Sequence, residues 1–211
     1  RRGRRTETRR MLRVGLTGGL ASGKSFVGEA LESFGCRLIK ADELGHQVLL
    51  PGGEAYGEVV REFGPGILDS GGTIDRRKLA AEVFDKPERL AALNRLVHPH
   101  VVRREEELIA RFAEEDPRAI VVVEAAILIE TGSYRRFDKL ILAVCTPEQQ
   151  IERAVARGGL TREEAMARLA RQMPLEEKRK YADFIIDTSG TKEETLKLVW
   201  ETFKVIRSIA P

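Results

Sequence analysis

The residues best placed to do chemistry form one continuous string, Gly18-Gly19-Leu20-Ala21-Ser22-Gly23-Lys24-Ser25. It follows an apolar run at 12–17 and precedes Phe26 and a helix-like stretch to Leu31. The spacing G-x-x-x-x-G-K-[ST], set between a strand and a helix, is that of a phosphate-binding loop. Glycines let the backbone coil so that successive N–H groups face inward, and the following helix adds its positive N-terminal end. Lys24 would reach the β- and γ-phosphates of a nucleotide, and the Ser25 hydroxyl would ligate Mg²⁺. The competing interpretation is a glycine-rich strand-to-helix turn with an exposed lysine. The flanking strand and helix favour the phosphate loop.

Other groups could act on a bound phosphate. Asp42 follows the next strand, where a nucleotide-type kinase meets its acceptor; it also stands where a helix N-cap belongs. As a carboxylate with an ordinary pKa of about 4, it would be a weak base toward an alcohol. Phosphoryl transfer tolerates that, because its loose transition state lets the hydroxyl proton leave late. Glu124 ends an apolar strand, either to hold Mg²⁺ through water or simply to meet solvent. Arg153 and Arg157 lie four apart and share a helix face. Gly158-Gly159 and the arginines at 162, 168 and 171 follow, as in a hinged cationic lid over a triphosphate. The interleaved acids Glu152, Glu163 and Glu164 also fit a solvated helix. His98, before Pro99, is either a proton carrier or structural, and His100 has no stronger claim. Glu105-Glu106-Glu107 reads as solvated surface, and Trp200, Phe203 and Ile206 as core.

The elements that must position these groups alternate between strand and helix. Strands are expected to begin near 12, 37, 119, 139 and 184. Helices are expected at 23–34, 43–50, 54–63, 75–115 (interrupted at Pro87 and at His98-Pro99), 147–157, 161–172, 175–181 and 191–209. Short β-branched runs separated by helices predict an α/β fold with a five-stranded parallel sheet covered on both faces. Ligands in such sheets gather at the carboxyl ends of strands. Residues 51–114 contain no long strand and read as a helical insertion.

Composition narrows the class. Of 36 basic and 33 acidic residues, the first ten positions hold six Arg against one Glu, leaving 30 basic against 32 acidic in the other 201. The basic excess therefore belongs to residues 1–10, expected to be a disordered leader before a start at Met11. A nucleic-acid role for that tail would show as steep salt dependence lost on truncation. No run approaches the ~18 apolar residues of a membrane span. Cys36 and Cys145 lack metal or redox spacing and read as reduced packing residues in a cytoplasmic protein.

Taken in order, the chain resembles the dephospho-coenzyme A kinase family from Met11 almost to its end. The phosphate loop carries the resemblance together with Ala41-Asp42-Glu43, Pro51-Gly52-Gly53, Gly72-Thr73-Ile74-Asp75-Arg76 and Leu96-Val97-His98-Pro99. Thr146-Pro147-Glu148, Arg153, Arg157, Arg171-Gln172-Met173-Pro174, and Lys178 through Asp183 to Asp187 and Gly190 complete it. The resemblance implies a three-layer P-loop kinase fold: a core of 11–50, 115–145 and 182–211, a coenzyme-A-binding insertion at 51–114 and a lid at 146–181. It implies that ATP, with Mg²⁺, phosphorylates the ribose 3′-hydroxyl of dephospho-coenzyme A, the last step of coenzyme A synthesis. Partners would then be small molecules, with no nucleic acid or membrane, in a monomer or weak homo-oligomer. Asp42 matches the proposed base, Lys24 the group gripping transferring phosphate, and Arg153 a lid arginine on ATP. Arg76 and His98 match positions near the acceptor pocket.

Departures from the family pattern are Lys40 in place of Asp, Phe26 in place of Thr, Ala126 in place of Pro, and Thr188 in place of Asn. None removes Lys24, Ser25, Asp42 or Arg153. Two other classes compete with this reading. A kinase of a smaller nucleoside or nucleotide would leave an insertion of about sixty residues without a long acceptor to hold. A GTP-driven switch needs a guanine-reading N-K-x-D string, which the sequence lacks.

Overall fold

The computed structural model describes residues 11–211; the arginine-rich residues 1–10, expected to be a leader, lie outside the described residues. The five expected strands are present: β1 Leu12–Gly18, β2 Arg37–Lys40, β3 Ile120–Glu124, β4 Lys139–Val144 and β5 Phe184–Asp187. They form one sheet in the order β2-β3-β1-β4-β5. β1 runs parallel to β3 and to β4, and β4 parallel to β5. Because β3 and β4 flank β1 on opposite sides, the chain switches direction across the sheet at β1. Its carboxyl end is where an open α/β sheet leaves a crevice for ligand.

The three central strands β3, β1 and β4 are buried on both faces, as their continuous apolar runs require, while the edge strands β2 and β5 alternate with exposed positions. Leu12, Val14 and Leu16 of β1, Ile120 and Val122 of β3, and Ile141 and Ala143 of β4 lie on one face. They pack with Val27, Ala30 and Leu31 of α1 (Lys24–Ser33) and Val199 and Ile206 of the C-terminal helix Lys192–Ile209. Trp200, expected in this core, is 43% exposed. A step of three residues turns a helix by 300°, so Trp200 and Ile206 lie about 120° apart and cannot share a face. Trp200 instead meets the Phe34 ring edge-on at 4.9 Å. Cys36 is buried and its thiol is pushed up to about 12 by desolvation, while Cys145 is half-buried; both are free thiols.

The described chain divides into two compact units, one running through Ile39 together with Ala110–Pro211, the other Lys40–Ile109. The second unit is helical: α2 Ala41–Gln47, α3 Tyr56–Phe63, α4 Arg76–Val83 and most of α5 Pro87–Glu115. Three expectations change here. Asp42 is not an N-cap: Lys40 holds that position with extended dihedrals, so β2 runs straight into α2 and Asp42 falls in its first turn. The carboxylate cap belongs to Asp75, which accepts from the N–H groups of Arg77 (2.8 Å) and Lys78 (3.2 Å). α5 also continues through His98-Pro99. Positions 93, 97, 101, 105 and 109 make an unbroken half-buried to buried stripe, with Pro99 on the exposed side. Packing along that stripe outweighs the one backbone bond that proline removes. Glu105 lies on the same stripe at 3% exposure, so it is not solvated surface.

In the first unit, α6 Pro147–Ala156, α7 Arg162–Arg171, α8 Leu175–Lys178 and α9 Lys192–Ile209 follow the strands as expected. Thr146, Thr161 and Thr191 each cap a helix in a reciprocal box with Gln149, Glu164 and Glu194. Such boxes satisfy two orphan N–H groups at each helix start. Gly158 and Gly159, both at positive φ, make the turn between α6 and α7.

Candidate active site

The loop Gly18–Ser25 occupies the carboxyl end of β1. Gly23 caps α1 in the left-handed region, φ +85°, and a Cβ there would stand 2.8 Å from Thr188 Oγ1. Gly18 has no more room, since a Cβ would meet Ala143 O at 3.0 Å and the Ser22 side chain. The first turn of α1 holds no acidic residue of its own, which leaves the helix's positive N-terminal end suited to a phosphate.

Lys24 Nζ and Ser25 Oγ both donate to Glu124 Oε1, each at 2.8 Å. Glu124 is 4% exposed, so its strand end does not meet solvent. Its second oxygen, Oε2, is buried without a hydrogen-bond partner. A hydroxyl that donates its proton to Glu124 keeps two lone pairs for another partner. Ser25 Oγ and the Glu124 carboxylate beside it are hard oxygen donors suited to Mg²⁺ or its waters, Oε2 itself lying against Gly28. The residues present therefore fit that ion.

Beside the loop, a cavity of about 390 Å³ is lined by Gly23, Ser25, Phe26, Arg153, Arg157 and Thr188 among others. The structure thus brings the two arginines to the phosphate loop, and Phe26 contributes an aromatic wall where a second hydroxyl is usual in the family. Arg153 donates to Thr188 Oγ1 (3.0 Å) and Thr188 O (2.6 Å). Thr188 Oγ1 in turn donates to Ser22 O at 2.7 Å. The residue noted as a departure therefore links Arg153 to the loop backbone. Nearby, Asp187 is held below its usual range, chiefly by hydrogen bonds from Ser189 and with help from Arg179 and Arg153.

The second unit carries its own cavity, about 400 Å³, with His46 and Arg76 at apolar walls that include Leu49, Ile74, Leu79 and Leu93. Arg76, expected near an acceptor pocket, lines this cavity. Asp42 is exposed on α2, one helical turn before His46. His98 is half-buried on α5 and is not among the residues lining this cavity, while His100 Nε2 lies 3.9 Å from Glu58. Sequence reasoning passed over His46. Its signal was the i, i+4 spacing from Asp42, which puts both on one helix face. Burial and the Arg76 charge push the His46 pKa down, against the pull of Asp42 and Glu43.

The strand order, the glycine-rich loop capping α1 and the buried carboxylate behind its lysine together define a P-loop kinase. The model of the Dephospho-CoA kinase family matches residues 12–194. A dephospho-CoA kinase from Aquifex aeolicus is 40% identical over 194 residues, covering 92% of this chain and 97% of that protein. Among solved structures, TT1252 from Thermus thermophilus superimposes with a TM-score of 0.82 at 35% identity, covering 96% of this chain and 100% of its own. The dephospho-CoA kinase from Campylobacter jejuni gives a TM-score of 0.67 at 28% identity, covering 93% and 97%. This chain belongs to the dephospho-CoA kinase family.

Proposed function

We propose that the chain transfers the γ-phosphoryl group of ATP to the ribose 3′-hydroxyl of dephospho-coenzyme A, yielding coenzyme A and ADP. The observation that carries this reading is the convergence of Lys24 and Ser25 on the buried Glu124 inside a family match running from residue 12 to 194. In it, the loop N–H groups from Gly18 to Ser25 cradle the phosphates, and Lys24 neutralises charge on the transferring group. Because phosphoryl transfer has a loose transition state, positioning and charge stabilisation supply most of the rate. Phe26 and the Arg153 and Arg157 guanidinium groups border the space for the rest of the nucleotide.

Ser25 and Glu124 would hold Mg²⁺, Glu124 through water. The ion would neutralise β- and γ-phosphate oxygens as the bridging bond breaks. Asp42 would orient the acceptor hydroxyl and receive its proton late in transfer. The 51–114 segment, with Arg76 and His98, would carry the acceptor, whose pantetheine arm suits apolar walls such as those beside His46 and Arg76. Residues 146–181 would act as the lid.

Turnover with dephospho-coenzyme A against AMP, CMP, uridine and shikimate tests the reading. Transfer to dephospho-coenzyme A, abolished by Lys24→Ala, is expected. Turnover only with one of the other acceptors overturns it.

A further inference from the structure

The outer backbone of the phosphate loop is held by side chains from the far end of the same unit. The Leu20 N–H donates to Gln172 Oε1 at 2.8 Å, and Gln150 Nε2 donates to the Leu20 carbonyl at 2.7 Å. An N–H only donates and a carbonyl only accepts, so both amide orientations are fixed by Leu20 itself. Two residues earlier, Lys178 Nζ donates to Gly18 O at 3.2 Å. Lys178 is fully buried, and its ammonium is satisfied by Gly18 O, by Ala126 O at 3.2 Å and by Glu130 Oε1 at 2.8 Å. The residue after the clamped peptide, Ala21, has φ +49°, a conformation L-residues hold only when their surroundings over-determine it.

We infer that Gln150 and Gln172 are positioning residues: they clamp both backbone polar atoms of Leu20, and so the two peptide planes that flank it, hold Ala21 in its left-handed conformation and thereby preset the phosphate loop for ATP. Lys178 fixes the neighbouring Gly18 carbonyl. None of the three needs to touch nucleotide to act. A loop that leaves its receptive shape for part of the time binds more weakly in proportion to the fraction lost. The inference rests on the reading of this loop as an ATP-phosphate cradle. It also ties the segment read as a lid to the cradle, through Gln150 on α6, Gln172 just beyond α7 and Lys178 closing α8.

The two glutamines play opposite hydrogen-bonding roles, which gives a discriminating test. Gln172 must accept, so Gln172→Glu keeps the bond and Gln172→Met loses it. Gln150 must donate, so Gln150→Glu and Gln150→Met both lose it. ATP binding to the full chain is measured by titration calorimetry in 1 M KCl, which damps the long-range, solvent-exposed part of the repulsion between an added carboxylate and phosphate. Amide exchange at Leu20 is followed without nucleotide.

Both Met variants and Gln150→Glu are expected to weaken ATP binding by about tenfold, one lost hydrogen bond. Gln172→Glu should stay within about threefold of the parent chain, and only Gln172→Met should lose protection at the Leu20 amide while Gln172→Glu keeps it. Steady-state KM for ATP should rise more than kcat falls. Equal weakening by Gln172→Glu and Gln172→Met, or unchanged binding in both Met variants, overturns the inference. Should the Gln150 variants fail to fold, the Gln172 pair, at a half-buried position, decides it alone. Failure of the parent chain to phosphorylate dephospho-coenzyme A would defeat the functional reading but leave the Leu20 exchange result intact.

Discussion

Replacing Glu124 by Gln removes one charge and almost no volume, and the structure gives its cost. Glu124 Oε1 is the shared acceptor for Lys24 Nζ and Ser25 Oγ, both at 2.8 Å, and side-chain exposure across the Lys24–Glu124 pair is only 12% and 5%. The amide oxygen can keep both contacts, but Lys24 loses its counter-charge. The new NH₂ replaces Oε2, which already has no partner. Breaking a buried pair on one side costs about 3–5 kcal/mol. Lys24 is slightly exposed, so the lower end applies, about 3 kcal/mol. At roughly 2–4 °C per kcal/mol for a domain of this size, Tm should fall by about 6–12 °C. Thermal unfolding without nucleotide or Mg²⁺ measures it. Lys24→Met should cost a similar amount by stranding the carboxylate. The double variant should then be more stable than the sum of the two losses implies, by about 2 kcal/mol. A Glu124→Gln loss below about 1 kcal/mol, or strict additivity, would refute the claim that these groups are a coupled buried pair. An unchanged half-saturating Mg²⁺ concentration for turnover in Glu124→Gln would separately remove Glu124 from the ion's surroundings.

Asp42→Asn should lower kcat by about a hundredfold, the low end for a positioned acid–base group, with ATP binding nearly unchanged; normal turnover would remove Asp42 from the chemistry. Arg153→Ala should weaken ATP binding by roughly tenfold or more, as loss of a charge-assisted contact does, read by calorimetric titration. Stability should fall as pH drops below the ordinary histidine pKa of about 6.5, because His46 has a lowered folded pKa and the unfolded chain takes up its proton first. Urea midpoints between pH 7.5 and 5.5 should show that slope in the parent chain and a shallower one in His46→Gln. Identical slopes would assign the effect to other groups.

Much of this was readable from local chemistry. Strands β2 and β5 were expected at the residues where they occur, because four-residue runs with an apolar centre, Leu38-Ile39 and Phe184-Ile185-Ile186, are too short for a helix and sit between helical stretches. The phosphate loop was legible because its function constrains backbone geometry at fixed spacing, as the φ of +85° at Gly23 illustrates. What escaped depends on tertiary context. Pro99 looks like a break until the stripe 93–109 is seen to be packed on both sides of it. Asp42 looks like a cap until β2 is seen entering α2 with no intervening turn. Gln150 and Gln172 carry no sequence mark of their roles, since their partner Leu20 lies 130 and 152 residues away. The T-x-x-E strings at Thr161 and Thr191 did signal the starts of α7 and α9, and would have sharpened both boundaries.

In the proposed reaction this loop delivers the γ-phosphoryl group of ATP to dephospho-coenzyme A. Mass-spectrometric quantification after incubating the full chain with ATP, Mg²⁺ and dephospho-coenzyme A tests it most directly. Coenzyme A and ADP are expected in equal amounts, with the new phosphate on the ribose 3′-oxygen. ADP without coenzyme A, or a phosphate at any other position, would contradict it.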